Sequence, residues 1–150
     1  MISIEAGFNL NELEKMIEDD LQEWFKSIAS ELFETAKKQV DKAIAKAKPT
    51  EDTFGKAFGN ITFNLRSSIG CGSVINGVLQ ETYFPYGKGD EGQANGLELL
   101  KSLVEEANEE ICVIVVAGEK YGIFVQSKGF DVLEMARGTF DDELKNVLTR

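Results

Sequence analysis

Residues 10–48 read LNELEKMIEDDLQEWFKSIASELFETAKKQVDKAIAKAK, and the periodicity of this stretch decides the fold. Apolar side chains fall at Leu10, Leu13, Ile17, Leu21, Trp24, Ile28, Leu32, Ala36, Val40, Ile44 and Ala47. Spacings of three and four held for that long belong to an amphipathic helix and not to a strand. Phe25 and Phe33 widen the stripe midway. Asn11 with Glu14, or equally Asn9 with Glu12, supplies a capping-box-like start, and Pro49 supplies the stop. Glu12, Glu14, Glu18, Asp19 and Asp20 crowd the first turns and Lys37, Lys38, Lys42, Lys46 and Lys48 the last, which complements the helix dipole. At roughly 1.5 Å per residue a straight helix over 12–48 runs about 55 Å. A compact domain of this chain length is only about 40 Å across. The helix therefore either breaks, around Ser27 to Ser30, or projects beyond its own core. A projecting end with Trp24, Phe25 or Ile44 on its stripe needs a partner.

Beyond Pro49 the texture changes. Residues 50–60 are polar and read as a loop. Ile61, Phe63 and Leu65 then alternate with polar neighbours, as in a strand. Asn76-Gly77 suits the positive φ angles of a type I′ turn, which predicts a β-hairpin pairing 67–75 with 78–84. Residues 87–96 hold four glycines and read as a loop, and 97–108 as a second helix with Leu97, Leu100, Val104 and Ala107 on one side. Residues 111–117 form a continuous β-branched run, the profile of a central strand. Residues 1–6 alternate like an edge strand. Leu133, Ala136, Phe140, Leu144 and Val147 space a C-terminal helix, which Gly138 weakens by about 1 kcal/mol. The expectation is one α+β domain over 1–150, a long N-terminal amphipathic helix and a C-terminal helix packed on one face of a small, mostly antiparallel sheet with a hairpin.

Composition narrows the chemistry. The chain has 150 residues, 16 basic and 26 acidic side chains, a net charge of −10 and no histidine. Ser-His-Asp and Cys-His catalysis, imidazole metal ligation and histidine pH switches are thereby excluded. Both halves are acidic, −3 over 1–75 and −7 over 76–150, so no basic arm exists for nucleic acid or an anionic membrane. No apolar run approaches the ~20 residues of a membrane span, and the N-terminus lacks the pattern of a signal peptide. Cys71 and Cys112 lie far apart in apolar stretches and read as two buried cytosolic thiols.

Candidate chemistry is thin. Gly87-Lys88-Gly89-Asp90-Glu91-Gly92 matches GxGxxG, the loop that brings backbone against a pyrophosphate. Asp90 and Glu91 would oppose phosphates there, Pro85-Tyr86 replaces a buried strand, and the expected helix starts about five residues after Gly92. No Walker A sequence exists. Glu105, Glu106, Glu109 and Glu110 are the solvated face and end of the second helix. Asp141-Asp142-Glu143 lacks the ligand alternation of a calcium loop. No nucleophile has an evident base, no catalytic, cofactor or metal residue is singled out, and the chain reads as no enzyme. The alternative is a small acidic enzyme or nucleotide-binding domain using the 87–92 loop, and a third reading is an acidic decoy mimicking nucleic acid.

Two segments carry a resemblance. Asn64-Leu65-Arg66-Ser67-Ser68-Ile69 resembles the Asn-Leu-Arg-x-Ser-Ile element of the tailed-phage tail-completion and head–tail joining proteins, also found as prophage minor structural proteins. Tyr121-Gly122-Ile123-Phe124-Val125-Gln126-Ser127-Lys128-Gly129 resembles that family's Tyr-Ala-x-Tyr-Val-Glu-x-Gly segment. The order of long helix, Leu-Arg-Ser-Ile strand, hairpin, apolar strand, Tyr segment and C-terminal helix agrees over nearly the whole chain. The family usually carries glycine just before Asn-Leu-Arg, where Phe63 stands here, and Glu where Gln126 stands. The resemblance implies a virion neck protein, made in the host bacterial cytoplasm. It would form a homo-oligomeric ring against the connector ring, tail tube or terminator, with DNA passing through its channel without specific binding. No cofactor and no membrane are implied. By the same resemblance Arg66 anchors the hairpin base or pairs across an interface, and Tyr121, Phe124 and Val125 form a turn docking on the sheet. Trp24 and Phe25 complete the expected interface.

Overall fold

The structure, a computed structural model, describes residues 2–5, 7, 9–46, 63–107, 110–120, 133, 142–143, 145–147 and 149. Helix α1 spans Leu10–Lys46, helix α2 is the single turn Asn64–Ser67, and strands β1 and β2 are Ile69–Ile75 and Val78–Tyr83. Helix α3 spans Asp90–Glu106 and strand β3 Ile111–Ala117. Beyond these, Asp142, Glu143, Lys145, Asn146 and Val147 belong to a C-terminal helix.

Helix α1 is one unbroken run of 37 residues, about 55 Å at ~1.5 Å per residue. Of the two caps open in the sequence, Asn9 is the one used: its side-chain Oδ1 accepts from the Asn11 N–H at 3.0 Å, and its carbonyl accepts from Leu13 N–H. Burial begins only at Ala29 and continues through Leu32, Phe33, Ala36, Val40, Ala43 and Ile44. The helix therefore projects instead of breaking, and Ile44 lies in the core while the free end is the N-terminal one.

The sheet order is β2-β1-β3, all antiparallel. Asn76 and Gly77 both adopt positive φ, 50° and 74°, and close the expected hairpin. A bulge between Ser73 and Val74 shifts the β1–β2 register. Among the described residues β1, and not β3, holds the central place. The reason is in its side chains: Gly70, Cys71, Gly72 and Ser73 are small enough for packing against both faces, and β1 is buried along nearly its whole length. Ile69 and Cys71 face α1, in one cluster with Phe33, Ala36, Val40 and Ala43. On the opposite face a Cβ at Gly72 would lie 2.8 Å from Leu100 of α3. Helices thus cover both faces of the sheet, where the sequence led to one. The C-terminal helix reaches α1 through Gln39 Nε2, which donates to Glu143 at 3.3 Å, with Lys42 3.8 Å from the same carboxylate.

Three further expectations change. Residues 2–5 form no strand, and Ile2 and Ile4 are almost fully exposed: among the described residues no strand pairs with their backbone. Phe63 to Ser67 turn helically instead of continuing as a strand. Helix α3 begins at Asp90, seven residues earlier than periodicity placed it, with Gly92 and Gly96 inside it. Ile61 lies outside the described residues, as does most of the expected C-terminal helix spacing.

Candidate functional site

The turn 63–69 is the structural junction of the molecule. Phe63 enters it in the left-handed conformation, φ 58° and ψ 2°. Ser67 and Ser68 are fully buried, and each hydroxyl ties down another element. Ser67 Oγ accepts from the Gly89 N–H at 2.8 Å, fixing the start of α3. Ser68 Oγ donates to the Leu65 carbonyl at 2.8 Å and accepts from the Glu119 N–H at 3.3 Å, while its own carbonyl accepts from Gly118 N–H. One pair of serines therefore joins α2 to α3 and to the end of β3. Nothing in hydrophobic periodicity signals this: Thr62, Asn64 and Arg66 are polar as well, so the Ser-Ser pair does not stand out in the sequence.

Arg66, the expected hairpin anchor, is 7% exposed. Its guanidinium lies 4.1 Å from the centre of the Tyr86 ring, and Nη1 donates to the Tyr86 hydroxyl at 3.2 Å. It makes no ion pair among the described residues, and its Nε–H is buried without an acceptor. Among the described residues, ring stacking and one hydrogen bond hold this charge in the interior. Phe63 and Tyr86 pack with ring centres 6.5 Å apart, and Lys88 lies over Phe63. Arg66, Phe63, Tyr86 and Lys88 thus make one cationic–aromatic cluster at the hairpin base. Tyr121, Phe124 and Val125 lie outside the described residues.

The GxGxxG match resolves into packing. Gly89 donates its N–H to Ser67, a Cβ on Gly92 would collide with the Asn64 carbonyl oxygen, and one on Gly96 would lie 2.5 Å from the Ser68 carbonyl oxygen. Gly92 and Gly96, one turn apart, let α3 lie directly against α2 and the end of β1. At Gly89 and Gly92 the backbone that a pyrophosphate would approach is already against protein, while Gly87 stands in open space. Cys71 is fully buried, and burial pushes its thiol up to about 12, so it is no nucleophile at neutral pH. Cys112 is half-buried and neither cysteine is in a disulfide. Burial, then the hydrogen bond to Asp41 at 3.0 Å, raises the Tyr83 hydroxyl above its usual range. An open groove of about 600 Å³ between β2 and α3 has Thr82, Tyr83 and Gln93 as its polar lining, with no charged side chain. Among the described residues no group of acids and cysteines could hold a metal ion, and no helix is long and apolar enough to cross a membrane.

The remaining surface of note is the N-terminal half of α1. Leu10, Leu13, Met16, Ile17, Leu21 and Trp24 are all exposed, from 38% at Leu13 to 67% at Leu10. Trp24 leans on Phe25, itself half-buried, with ring centres 5.6 Å apart. Of the expected interface residues, the structure thus leaves Trp24 open, half-covers Phe25 and buries Arg66 more than 30 residues further along the chain. For Leu10, Leu13, Ile17 and Leu21 the signal was present, since with Trp24 and Ile28 they repeat every 3.6 residues on average, whereas Met16 lies off that line and the core face from Ala29 onward lies about a quarter to a third of a turn round the helix. Searched against family models, curated proteins and solved structures, the chain matches none of them.

Proposed function

We propose that this chain is a structural virion protein of the head–tail connector, which completes the tail or joins it to the capsid as a subunit of a ring. The observation that carries the reading is Phe63: it holds the left-handed conformation at the position where the tail-completion proteins usually have glycine, immediately before Asn64-Leu65-Arg66. A backbone that asks for glycine there gives the motif resemblance a physical basis beyond side-chain identity. The Ser67-Ser68 junction and the stacked Arg66 give the rest of the motif a structural duty suited to a scaffold. A helix extending far beyond its own core suits a subunit that works by contact with neighbours. On this reading the protein is not an enzyme, needs no cofactor and resides in the virion neck or tail.

Co-expression with the portal-side connector and tail-tube proteins tests the proposal. Ring-shaped assemblies seen by electron microscopy, with the chain present in purified particles by mass spectrometry, are the expected result. Absence from purified virions overturns it.

A further inference from the structure

The projecting half of α1 is an unpartnered apolar stripe, and its borders say what kind of surface covers it. Its six exposed large side chains are each between about a third and two-thirds open, which makes the patch several hundred Å². That matches the largest patch on ordinary monomers, about 300–600 Å², and approaches the ~800 Å² per partner of a standard interface. Residues 10–28 hold six acids and two lysines, a net −4. On a helical wheel Glu14 and Glu18 border the stripe on one side and Asp20 and Glu23 flank Met16 on the other, while Lys15 and Lys26 fall on the far face. Both borders are therefore acidic.

A second copy of the same arm fits poorly. With Leu10, Ile17 and Trp24 at d positions and Glu14, Leu21 and Ile28 at a positions, antiparallel pairing sets Asp20 against Asp20 and Glu18 against Glu18. Parallel pairing sets Glu14 against Glu14 inside the seam. The apolar residues exposed elsewhere among the described ones, Ile2, Ile4, Phe63, Val78 and Leu99, form no second stripe in sequence. We infer that the N-terminal half of α1 is a docking arm for a different protein, one presenting an apolar helix or groove edged by lysine or arginine. The complementary charge sets orientation and encounter rate, and the apolar seam holds the complex. This inference stands on the arm alone and does not require the connector reading.

Trp24 is the chain's single tryptophan, so docking carries its own optical signal. The probe is a synthetic amphipathic helix with leucine at a and d and lysine at e and g, titrated into the full-length protein, against the same peptide with glutamate at e and g. The lysine peptide is expected to shift Trp24 emission to the blue and to bind at least about tenfold more weakly when salt rises from about 0.05 M to about 0.5 M. The glutamate peptide is expected to give no shift. Leu13→Asn with Leu21→Asn removes the response, and Glu14→Gln, Glu18→Gln and Asp20→Asn together weaken it. Glu98→Gln with Glu105→Gln, on exposed positions of α3, leaves it unchanged. Equal response to the two peptides, no response to either, or a response lost with the α3 pair instead of the arm variants overturns the inference. So does a free chain whose Trp24 emission is already blue: concentration-dependent sedimentation abolished by Leu21→Asn then assigns the stripe to a second copy, and concentration-independent burial to the chain itself. Virion content is scored separately, so failure here and failure of the connector reading remain distinguishable.

Discussion

Phe63 sets two effects of similar size against each other. Its left-handed backbone costs a residue with a Cβ about 1–2 kcal/mol. Its ring returns part of that through Tyr86 and Lys88, at about 0.5–1 kcal/mol each for a half-open site. Phe63→Gly relieves the first and loses the second, so its unfolding free energy in urea is expected within about 1 kcal/mol of the parent. Phe63→Val keeps the strain, stiffens it with a branched Cβ and loses the ring, at a cost of about 2 kcal/mol. Cys71 gives the pH dependence. Its folded thiol is raised from 9.0 to about 12, so the native state keeps a proton that the unfolded chain gives up. The contribution of this thiol is therefore complete well below pH 9 and is lost as pH rises above it, at up to about 1.4 kcal/mol per pH unit. Tyr83, also raised, adds loss of the same sign at higher pH. Urea midpoints measured through the alkaline range are expected to drop, and Cys71→Ala is expected to make that drop shallower.

Gly96 shows how an element can contradict its own propensity. Inside a helix, Gly→Ala ordinarily gains about 1 kcal/mol. Here the added Cβ would lie 2.5 Å from the Ser68 carbonyl oxygen and 2.7 Å from the Phe84 ring, so α3 would have to lift off the end of β1. Gly96→Ala is expected to lower the unfolding free energy by about 1–3 kcal/mol, the usual range for overpacking, and thermal denaturation reads the sign directly. The same glycines explain why the start of α3 was illegible in the sequence: four glycines in ten residues look like a loop until the backbone they approach is known. What periodicity could see, it placed well. The 3.6-residue stripe gave α1, Asn76-Gly77 gave the hairpin, and the β-branched run gave β3 within its observed bounds. The central position of β1 escaped because Gly-Cys-Gly-Ser carries little hydrophobic signal, and small size is the property that lets helices close on both its faces. The exposed stripe of α1 was half legible. Trp24 stood out by type, but the change of face near Ile28 separates arm from core, and that becomes visible only when the two periods are laid side by side.

At the scale of the molecule the long helix is two objects in one. From Ala29 onward it is a wall of the core; before that it is a rod whose large apolar side chains are mostly exposed, with Phe25 and Ile28 half-buried. Burial is where most folding free energy arises, at about 25 cal/mol per Å² of apolar surface removed from water. A segment that buries little contributes little, and an isolated helix of this length is marginal on its own terms. The rod is held straight by continuity with the packed half and by the Asn9 cap. Removing residues 1–27 should then leave the body's unfolding free energy within about 1 kcal/mol of the parent, because no core side chain is lost. The maximum dimension in solution scattering should fall from at least about 55 Å, the length of α1, toward the ~40 Å of a compact domain. A large loss of stability on truncation would mean that the arm folds back on its own chain. If the arm works by docking, the shortened protein folds normally yet no longer binds the lysine-edged helical peptide, which separates a part needed for binding from a part needed for folding.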